Sequence, residues 1–239
     1  MIERVREPDR ALSSAAKGLF PPCRGSRGDV LARKYSADRT GLLLVDTFND
    51  FLSQGGKLWP HIRPAAEKID LLAHLRTLLA AVRGAGSTVF HVPHRRWREG
   101  DFDRWRHPTP WQLQIDREGL FAHGTWGGDW HPDLAPQPGD VVVQEHWGHD
   151  GFHNTDLDLQ LRQRGIENII LAGMALNRCV AATARCGAEL GYHVTLVRDA
   201  TAPLDRGALH AGEETDGPPF VHVIVTTDEL AAMLGARTG

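Results

Sequence analysis

The sequence predicts an α/β protein, a single domain with a doubly wound, Rossmann-like sheet of six mostly parallel strands and helices on both faces. Short apolar segments alternate along the chain with segments of helical periodicity, the pattern of successive strand–helix units. The first apolar run, residues 41–45, is uninterrupted, as in a parallel strand buried on both faces. With 239 residues, 41% of them hydrophobic, the chain is long enough for one domain with a substantial core and short for two.

The predicted elements are placed by their periodicity and by the residues that end them. Asp46 closes the first strand. A helix follows over residues 64–83, because apolar side chains recur at helical spacing from Ile69 to Val82 and Gly84 ends the run. Right-handed crossovers between parallel strands place such helices on both faces of the sheet. The remaining predicted strands are 88–92, 140–144, 169–172, 193–197 and 221–225, and the remaining predicted helices are 156–164, 177–190, 206–214 and one that begins at Thr227.

Two segments depart from this alternation. Residues 1–38 are rich in Arg, Ser, Gly and Pro and are predicted to be an N-terminal extension or arm, which leaves residues 39–239 as the domain. Residues 93–138 form an insertion that carries five of the seven Trp without a strong helical or strand period. Long irregular insertions in compact domains are usually functional, so these Trp side chains either line a pocket or form a small core of their own.

Composition argues against several classes of partner. The net charge of −3 and the lack of a Lys/Arg block give no footprint for nucleic acid or an anionic membrane surface. Three cysteines without a Cys-x-x-Cys pair argue against a disulfide framework or a structural zinc site and favour a reducing, cytoplasmic setting. Because no apolar run approaches the roughly 20 residues that span a bilayer, and the N-terminus lacks a signal-peptide core, we expect a soluble, unexported protein.

Candidate functional residues follow the predicted strands, because ligands of open α/β sheets bind beyond the carboxyl ends of the strands. Asp46, Gln144 and the segment 173–179 lie there. Cys179 falls at a strand-to-helix turn, where a helix N-terminus favours a thiolate; its alternative is a buried structural cysteine, which is our interpretation of Cys186. Asp46 ends an apolar strand, where an unpaired charge is costly, so it either has a chemical role or caps the next turn.

Four segments, 42–51, 151–158, 171–180 and 189–201, together resemble the isochorismatase-like cysteine hydrolases, a superfamily that includes nicotinamidases and carbamoylsarcosine amidases. In order and spacing they cover residues 40–235. The resemblance implies that Asp46 takes the thiol proton, that Cys179 attacks an amide carbonyl, and that water later releases the acid. It also implies a cis peptide bond at Met174–Ala175 and an oxyanion hole formed by the backbone N–H groups of Ala175 and Cys179.

The sequence departs from this family at the catalytic lysine, whose position we assign to Gln144. A neutral amide cannot supply the positive charge that stabilises Asp46 and a thiolate. Lys57, His146, Arg178 or a cationic substrate are the alternatives for that charge. The segment after the first strand lacks the Asp-x-His pair of the metal-dependent nicotinamidases, so we predict no metal and no cofactor; His91 and His94 are expected to hydrogen-bond rather than to ligate one.

The predicted function is hydrolysis of an amide-type C–N bond of a small molecule through a thioester intermediate. We expect the substrate pocket to be lined by Phe51, Trp126, Trp147, Met174 and Arg178. Two alternatives remain: a weak or inactive member that binds a small molecule or a partner protein through the Trp-rich insertion, and a biosynthetic enzyme that uses the pocket for ring opening or acyl transfer. The resemblance further implies a homo-oligomer, either a dimer or a tetramer.

Overall fold

The computed structural model describes residues 35–204 and 220–235, together with residue 28. These residues form one six-stranded sheet in the order β3-β2-β1-β4-β5-β6, with every neighbouring pair parallel. The predicted α/β fold is confirmed, and the sheet is wholly rather than mostly parallel. The strands are β1 Thr40–Val45, β2 Thr88–Val92, β3 Val141–Val142, β4 Asn168–Met174, β5 His193–Ala202 and β6 Val223–Val225.

Helices cover both faces of the sheet, as the apolar pattern of the strands requires. All six residues of β1 are buried, which explains its uninterrupted apolar run. Leu42 and Leu44 belong to one core cluster, whereas Leu43 and Val45 belong to the cluster on the other face. The helices are α1 Asn49–Leu52, α2 Trp59–Lys68, α3 Leu71–Gly84, α4 Pro110–Glu118, α5 Leu157–Gln163, α6 Ala181–Glu189 and α7 Thr227–Gly235.

Two predicted helices differ from the observed ones. The single helix expected over 64–83 is two helices, α2 and α3, because Asp70 adopts a left-handed conformation with φ 49° and interrupts the helical hydrogen bonding. The helix expected over 177–190 begins with a π-helical turn, Leu176–Val180, before α6. Such turns widen the helix locally and occur often at functional sites. The helix expected over 206–214 and nearly all of the arm 1–38 lie outside the described residues.

The Trp-rich insertion contains more regular structure than its sequence indicates. Helix α4 lies within it, and Thr109 and Gln112 form a reciprocal capping box at its N-terminus. Trp111 is 5% exposed, whereas Trp105 and Trp126 are 40% and 52% exposed. The buried side chains of the insertion, Trp111 among them, join the main core cluster on one face of the sheet, whereas Trp105 and Trp126 lie at the surface. No helix within the described residues is long and apolar enough to cross a membrane.

Candidate active site

Four buried side chains converge beyond the carboxyl ends of the central strands. Asp46 follows β1, His94 follows β2, His146 follows β3, and Cys179 lies in the π-helical turn after β4. All four are at most 1% exposed. A parallel bridge between His94 and His146 continues the pairing of β2 and β3 beyond both strands. The crevice outside the strand ends of an α/β sheet is thus filled here by titratable groups.

The backbone around the strand ends fixes the position of Asp46. Asp46 has φ 52°, and its N–H donates to the carbonyl oxygen of Val92 at 3.1 Å. Gly173, with φ 105°, passes so close to β1 that an added Cβ would lie 2.2 Å from the carbonyl oxygen of Val45. Only glycine fits at that position. The sequence thus lets the ends of β1 and β4 approach each other, and Asp46 and Cys179 follow these ends.

Asp46, His146 and Cys179 form a compact triad. The Nε2 atom of His146 lies 3.1 Å from Oδ1 of Asp46. One ligand atom of each of the three side chains lies within 4.8 Å of the other two. No nitrogen or hydroxyl of the described residues donates to Oδ2 of Asp46, which leaves that oxygen available to take a proton.

The partners of His146 favour a doubly protonated ring. Its Nδ1 lies 2.9 Å from the carbonyl oxygen of Gly148, which only accepts, so Nδ1 carries a proton. Its Nε2 faces the Asp46 carboxylate and therefore carries a proton as well. Burial lowers the pKa of His146, but the charge and hydrogen bond of Asp46 outweigh burial and raise it above the ordinary value. Burial raises the pKa of Asp46, but His146 outweighs burial in turn and holds that pKa below its ordinary value.

His94 is the neutral counterpart of His146. Its Nδ1 donates to the carbonyl oxygen of Arg95 at 3.0 Å, and its Nε2 accepts from Nε1 of Trp111 at 3.3 Å. One donor and one acceptor define a neutral ring. Burial, followed by the positive charge of His146, lowers the pKa of His94 to about 4. The two neighbouring imidazoles, with centroids 5.1 Å apart, are therefore shifted in opposite directions: the pKa of His94 is lowered and that of His146 is raised.

The surroundings of Cys179 favour the protonated thiol. Burial and the negative charge of Asp46 raise its pKa well above the ordinary value, whereas the backbone of Ala175 and the charge of Arg178 lower it by less. Burial and Asp46 thus oppose the thiolate that the helix N-terminus alone would favour. His149, with Nδ1 at 3.7 Å from Sγ, is the other titratable group beside the thiol, and burial lowers its pKa.

Gln144 does not occupy the position that the sequence assigned to it. Its side chain is exposed, and its backbone N–H donates to Oδ1 of Asp156 at 2.7 Å. The assignment assumed that β3 runs to residue 144. The strand instead ends at Val142, and the chain continues beside β2 until His146 reaches Asp46. Of the alternative sources of charge, Lys57 is excluded, because its Nζ donates to the carbonyl oxygens of Glu118 and Gly119, both at 2.7 Å.

The residues predicted to line the pocket lie in different environments, some in the core, some at the surface and one beside Cys179. Phe51 is buried in the core and stacks on Phe121 with centroids 4.8 Å apart, and Met174 is fully buried. Trp126 lies at the surface beside Gly55. Trp147 lies under the guanidinium of Arg95, 4.6 Å from its ring centroid. Of the predicted set, Arg178 alone acts electrostatically on Cys179 among the described residues.

Sequence reasoning missed Trp111 and His149. Trp111 contacts His94, lies with its ring centroid 6.0 Å from that of His149, and stacks under Arg178. The Thr-x-x-Gln pattern at 109–112 is a helix N-terminus signal that would have placed Trp111 on a helix. His149 lies in a loop without such a signal.

The peptide bond Met174–Ala175 is cis, at the position implied by the resemblance. The carbonyl oxygen of Ala175 accepts from the N–H groups of Arg178 and Val180, at 2.9 and 3.2 Å. These bonds hold the turn that carries Cys179. The assignment of an oxyanion hole to the N–H groups of Ala175 and Cys179 stays a prediction.

The triad offers an oxygen, a nitrogen and a sulfur that could in principle hold a metal ion. An imidazolium has no free lone pair, so His146 would have to lose a proton before it could ligate one. His91 and His94 have separate partners. His91 Nε2 lies 3.1 Å from Oδ2 of Asp140, which also pairs with Arg83.

Comparison with known proteins identifies the family to which the chain belongs. Residues 40–228 match the isochorismatase domain, so the chain belongs to the isochorismatase family. The ureidoacrylate amidohydrolase RutB of Stutzerimonas stutzeri (strain A1501) is 33% identical over 187 residues, 74% of each chain. The RutB of Pantoea ananatis (strain LMG 20103) is 33% identical over 178 residues, 70% of each chain. The chain is an isochorismatase-like hydrolase, and these relatives place it among the amidohydrolases.

Solved structures share the fold. A cysteine hydrolase from Pseudomonas syringae pv. phaseolicola 1448A superposes with a TM-score of 0.71 at 27% identity, covering 84% of this chain and 95% of that one. The N-carbamoylsarcosine amidase from Thermoplasma acidophilum superposes with a TM-score of 0.60 at 22% identity, covering 80% of this chain and 97% of that one. The latter likeness concerns the fold alone.

Proposed function

We propose that this protein hydrolyses an amide-type C–N bond of a small molecule through a thioester on Cys179. Asp46 moves the protons. His146 supplies the positive charge that a lysine would supply at this position in the family that the sequence resembles. The observation that carries the proposal is the buried triad, in which the Cys179 thiol lies beside the Asp46 carboxyl and that carboxyl is paired with His146.

In the first half-reaction, Asp46 accepts the thiol proton as the sulfur attacks the carbonyl carbon. An S–C bond forms, and the carbonyl oxygen becomes an oxyanion that the N–H groups of Ala175 and Cys179 stabilise. Because the pKa of the thiol is raised, sulfur becomes nucleophilic only as its proton leaves. Asp46 then donates that proton to the leaving nitrogen, the C–N bond breaks, and an amine or ammonia departs.

In the second half-reaction, water replaces the departed amine. Asp46 takes a proton from the water as the water oxygen attacks the thioester carbon. The S–C bond breaks, the sulfur recovers the proton, and the acid leaves. The sum is one amide-type bond and one water converted to an acid and an amine, with no other reactant. His146 keeps Asp46 ionised at the start of each half-reaction because it stabilises the carboxylate.

Ureidoacrylate is the first substrate to test, because the two relatives described above carry its name. We expect turnover by the purified protein, measured as loss of ureidoacrylate by mass spectrometry and as release of ammonia, because the carbamic acid formed from a ureido group decomposes with loss of carbon dioxide. An acid quench during turnover is expected to trap the acyl group on the peptide that contains Cys179. A simple primary amide such as propionamide serves as the comparison substrate. Turnover by a variant that lacks the Cys179 thiol would contradict the thioester route.

The pH profile of kcat/KM is a separate prediction. The active form needs an ionised Asp46 and a protonated His146. Activity is therefore lost below the lowered pKa of Asp46 as pH falls, and above the raised pKa of His146 as pH rises. His146→Lys is expected to move the alkaline limb upward by on the order of one pH unit or more, since lysine titrates near 10.

The matched control for this profile is His61→Lys, which changes an exposed histidine on α2. It is expected to leave both limbs in place. An alkaline limb that does not move in His146→Lys would show that another group sets it and would remove His146 from the mechanism.

A further inference from the structure

Arg178 is a cation beside the proposed nucleophile that lacks an acidic partner. It precedes Cys179 in the π-helical turn and is half-buried. Its Nε is buried and has no hydrogen-bond partner among the described residues. None of the ion pairs formed within residues 35–204 and 220–235 includes it. Buried polar groups are nearly always satisfied, so an unsatisfied guanidinium nitrogen in a site calls for an explanation.

Trp111 holds Arg178 in place. The guanidinium carbon lies 5.1 Å from the Trp111 ring centroid, a cation–π contact. The Trp111 ring is itself fixed by its hydrogen bond to Nε2 of His94. An aromatic face orients a guanidinium, but it accepts no hydrogen bond from the N–H donors that lie in the guanidinium plane. Arg178 is thus positioned in advance and keeps donors free.

We propose that Arg178 binds a carboxylate of the substrate, and that the protein is selective for amides or ureido compounds that carry this acid a few atoms from the scissile carbonyl. The inference rests on the proposed function and adds the substrate class. A guanidinium and a carboxylate match as two parallel hydrogen bonds, which fix orientation as well as affinity. The charge of Arg178 acts on the Cys179 thiol, and Trp111 links Arg178 to His149, whose Nδ1 lies 3.7 Å from Sγ. An acid held by Arg178 would therefore place the rest of a small molecule near Sγ.

Two alkylating reagents of nearly identical shape provide the test. Iodoacetate carries a carboxylate where iodoacetamide carries a neutral amide, and both transfer their CH₂ group to sulfur with loss of iodide. The rate constants for Cys179 and Cys186 are followed separately by peptide mass spectrometry. The quantity compared among variants is the ratio of iodoacetate to iodoacetamide rates at Cys179, which cancels changes in thiol reactivity. Cys186 is the reference within each sample.

Arg178→Met keeps the length and the contact with Trp111 but removes the charge. We expect the ratio at Cys179 to fall about tenfold or more, the effect of losing a charge-assisted pair. Arg178→Lys is expected to keep part of the preference, because it keeps the charge but not the planar fork. Arg185→Met, which changes an exposed arginine on α6, is the control and should leave the ratio unchanged.

The outcomes separate the two proposals. If Cys179 is alkylated with the same ratio in the unmodified protein and in Arg178→Met, Arg178 only packs on Trp111; the carboxylate site is then overturned while the nucleophile stands. If Cys179→Ala turned over ureidoacrylate as fast as the unmodified protein, the proposed nucleophile would fail, and the inference would fail with it.

Discussion

Replacing Cys179 by alanine is expected to lower kcat by at least about 10³-fold, because no other group can form the thioester. Cys179→Ser should fall nearly as far, since a hydroxyl of high pKa is harder to deprotonate beside the same carboxylate. Either loss is measured as turnover of ureidoacrylate by purified protein with unchanged circular dichroism. The acyl adduct on this peptide should vanish in the alanine variant.

Cys186→Ala is the matched control for this loss. Cys186 lies on α6, partly buried, with a pKa raised to about 12 by burial and by Asp150. It is not part of the triad, so we expect kcat within about threefold of the unmodified protein. Activity that survives Cys179→Ala, or that is lost equally in Cys186→Ala, would mean that the nucleophile is wrongly assigned.

The fold could be predicted because its signals are local. The apolar run of β1 reports burial on both faces, and the same periodicity arguments place β2 and β4 within a few residues of their observed ends. The break between α2 and α3 was missed because it depends on one residue, Asp70, in a conformation that periodicity does not record. Cys179 and Asp46 were found for a similar reason, since each follows a strand that the sequence marks clearly.

The charge partner of Asp46 could not be chosen in this way, although His146 was among the alternatives. Asp46 and His146 are 100 residues apart in sequence. Whether Gln144 or His146 reaches the carboxylate depends on where β3 ends and how the following chain runs beside β2. A short edge strand with an irregular continuation gives no periodicity from which to count. An error of two residues at the end of β3 therefore assigned Gln144, a neutral side chain, to the position beside Asp46 that His146 occupies.

The presence of His146, where the resemblance implies a lysine, has a chemical consequence. The resemblance implies a lysine beside the aspartate, and lysine keeps its charge across the physiological range. Histidine titrates closer to neutrality, so its charge depends on the carboxylate that it stabilises. In this site the dependence is mutual: Asp46 raises the pKa of His146, and His146 lowers that of Asp46. The pair should therefore titrate as a unit rather than as two independent groups.

Asp46→Asn tests both halves of that unit. The amide cannot accept the thiol proton, so kcat is expected to fall at least about 10³-fold. The variant also removes the charge that raises the pKa of His146 and leaves burial, which lowers it. We therefore expect the His146 ring, followed by NMR titration, to become neutral at a lower pH than in the unmodified protein.

Asp50→Asn is the informative comparison, because Asp50 is a second buried carboxylate four residues along the chain. Its oxygens accept the backbone N–H groups of Lys57 and Phe121, at 3.0 and 2.8 Å, and it lies outside the triad. An amide has one acceptor oxygen, so Asp50→Asn should cost about 1–3 kcal/mol of unfolding free energy while kcat stays within about threefold. The two variants separate a carboxylate that moves protons from one that fixes a turn. If Asp46→Asn kept its activity, or lowered stability alone as Asp50→Asn should, then Asp46 would be a structural anion and the triad would need another base, for which His149 is already in contact with the thiol.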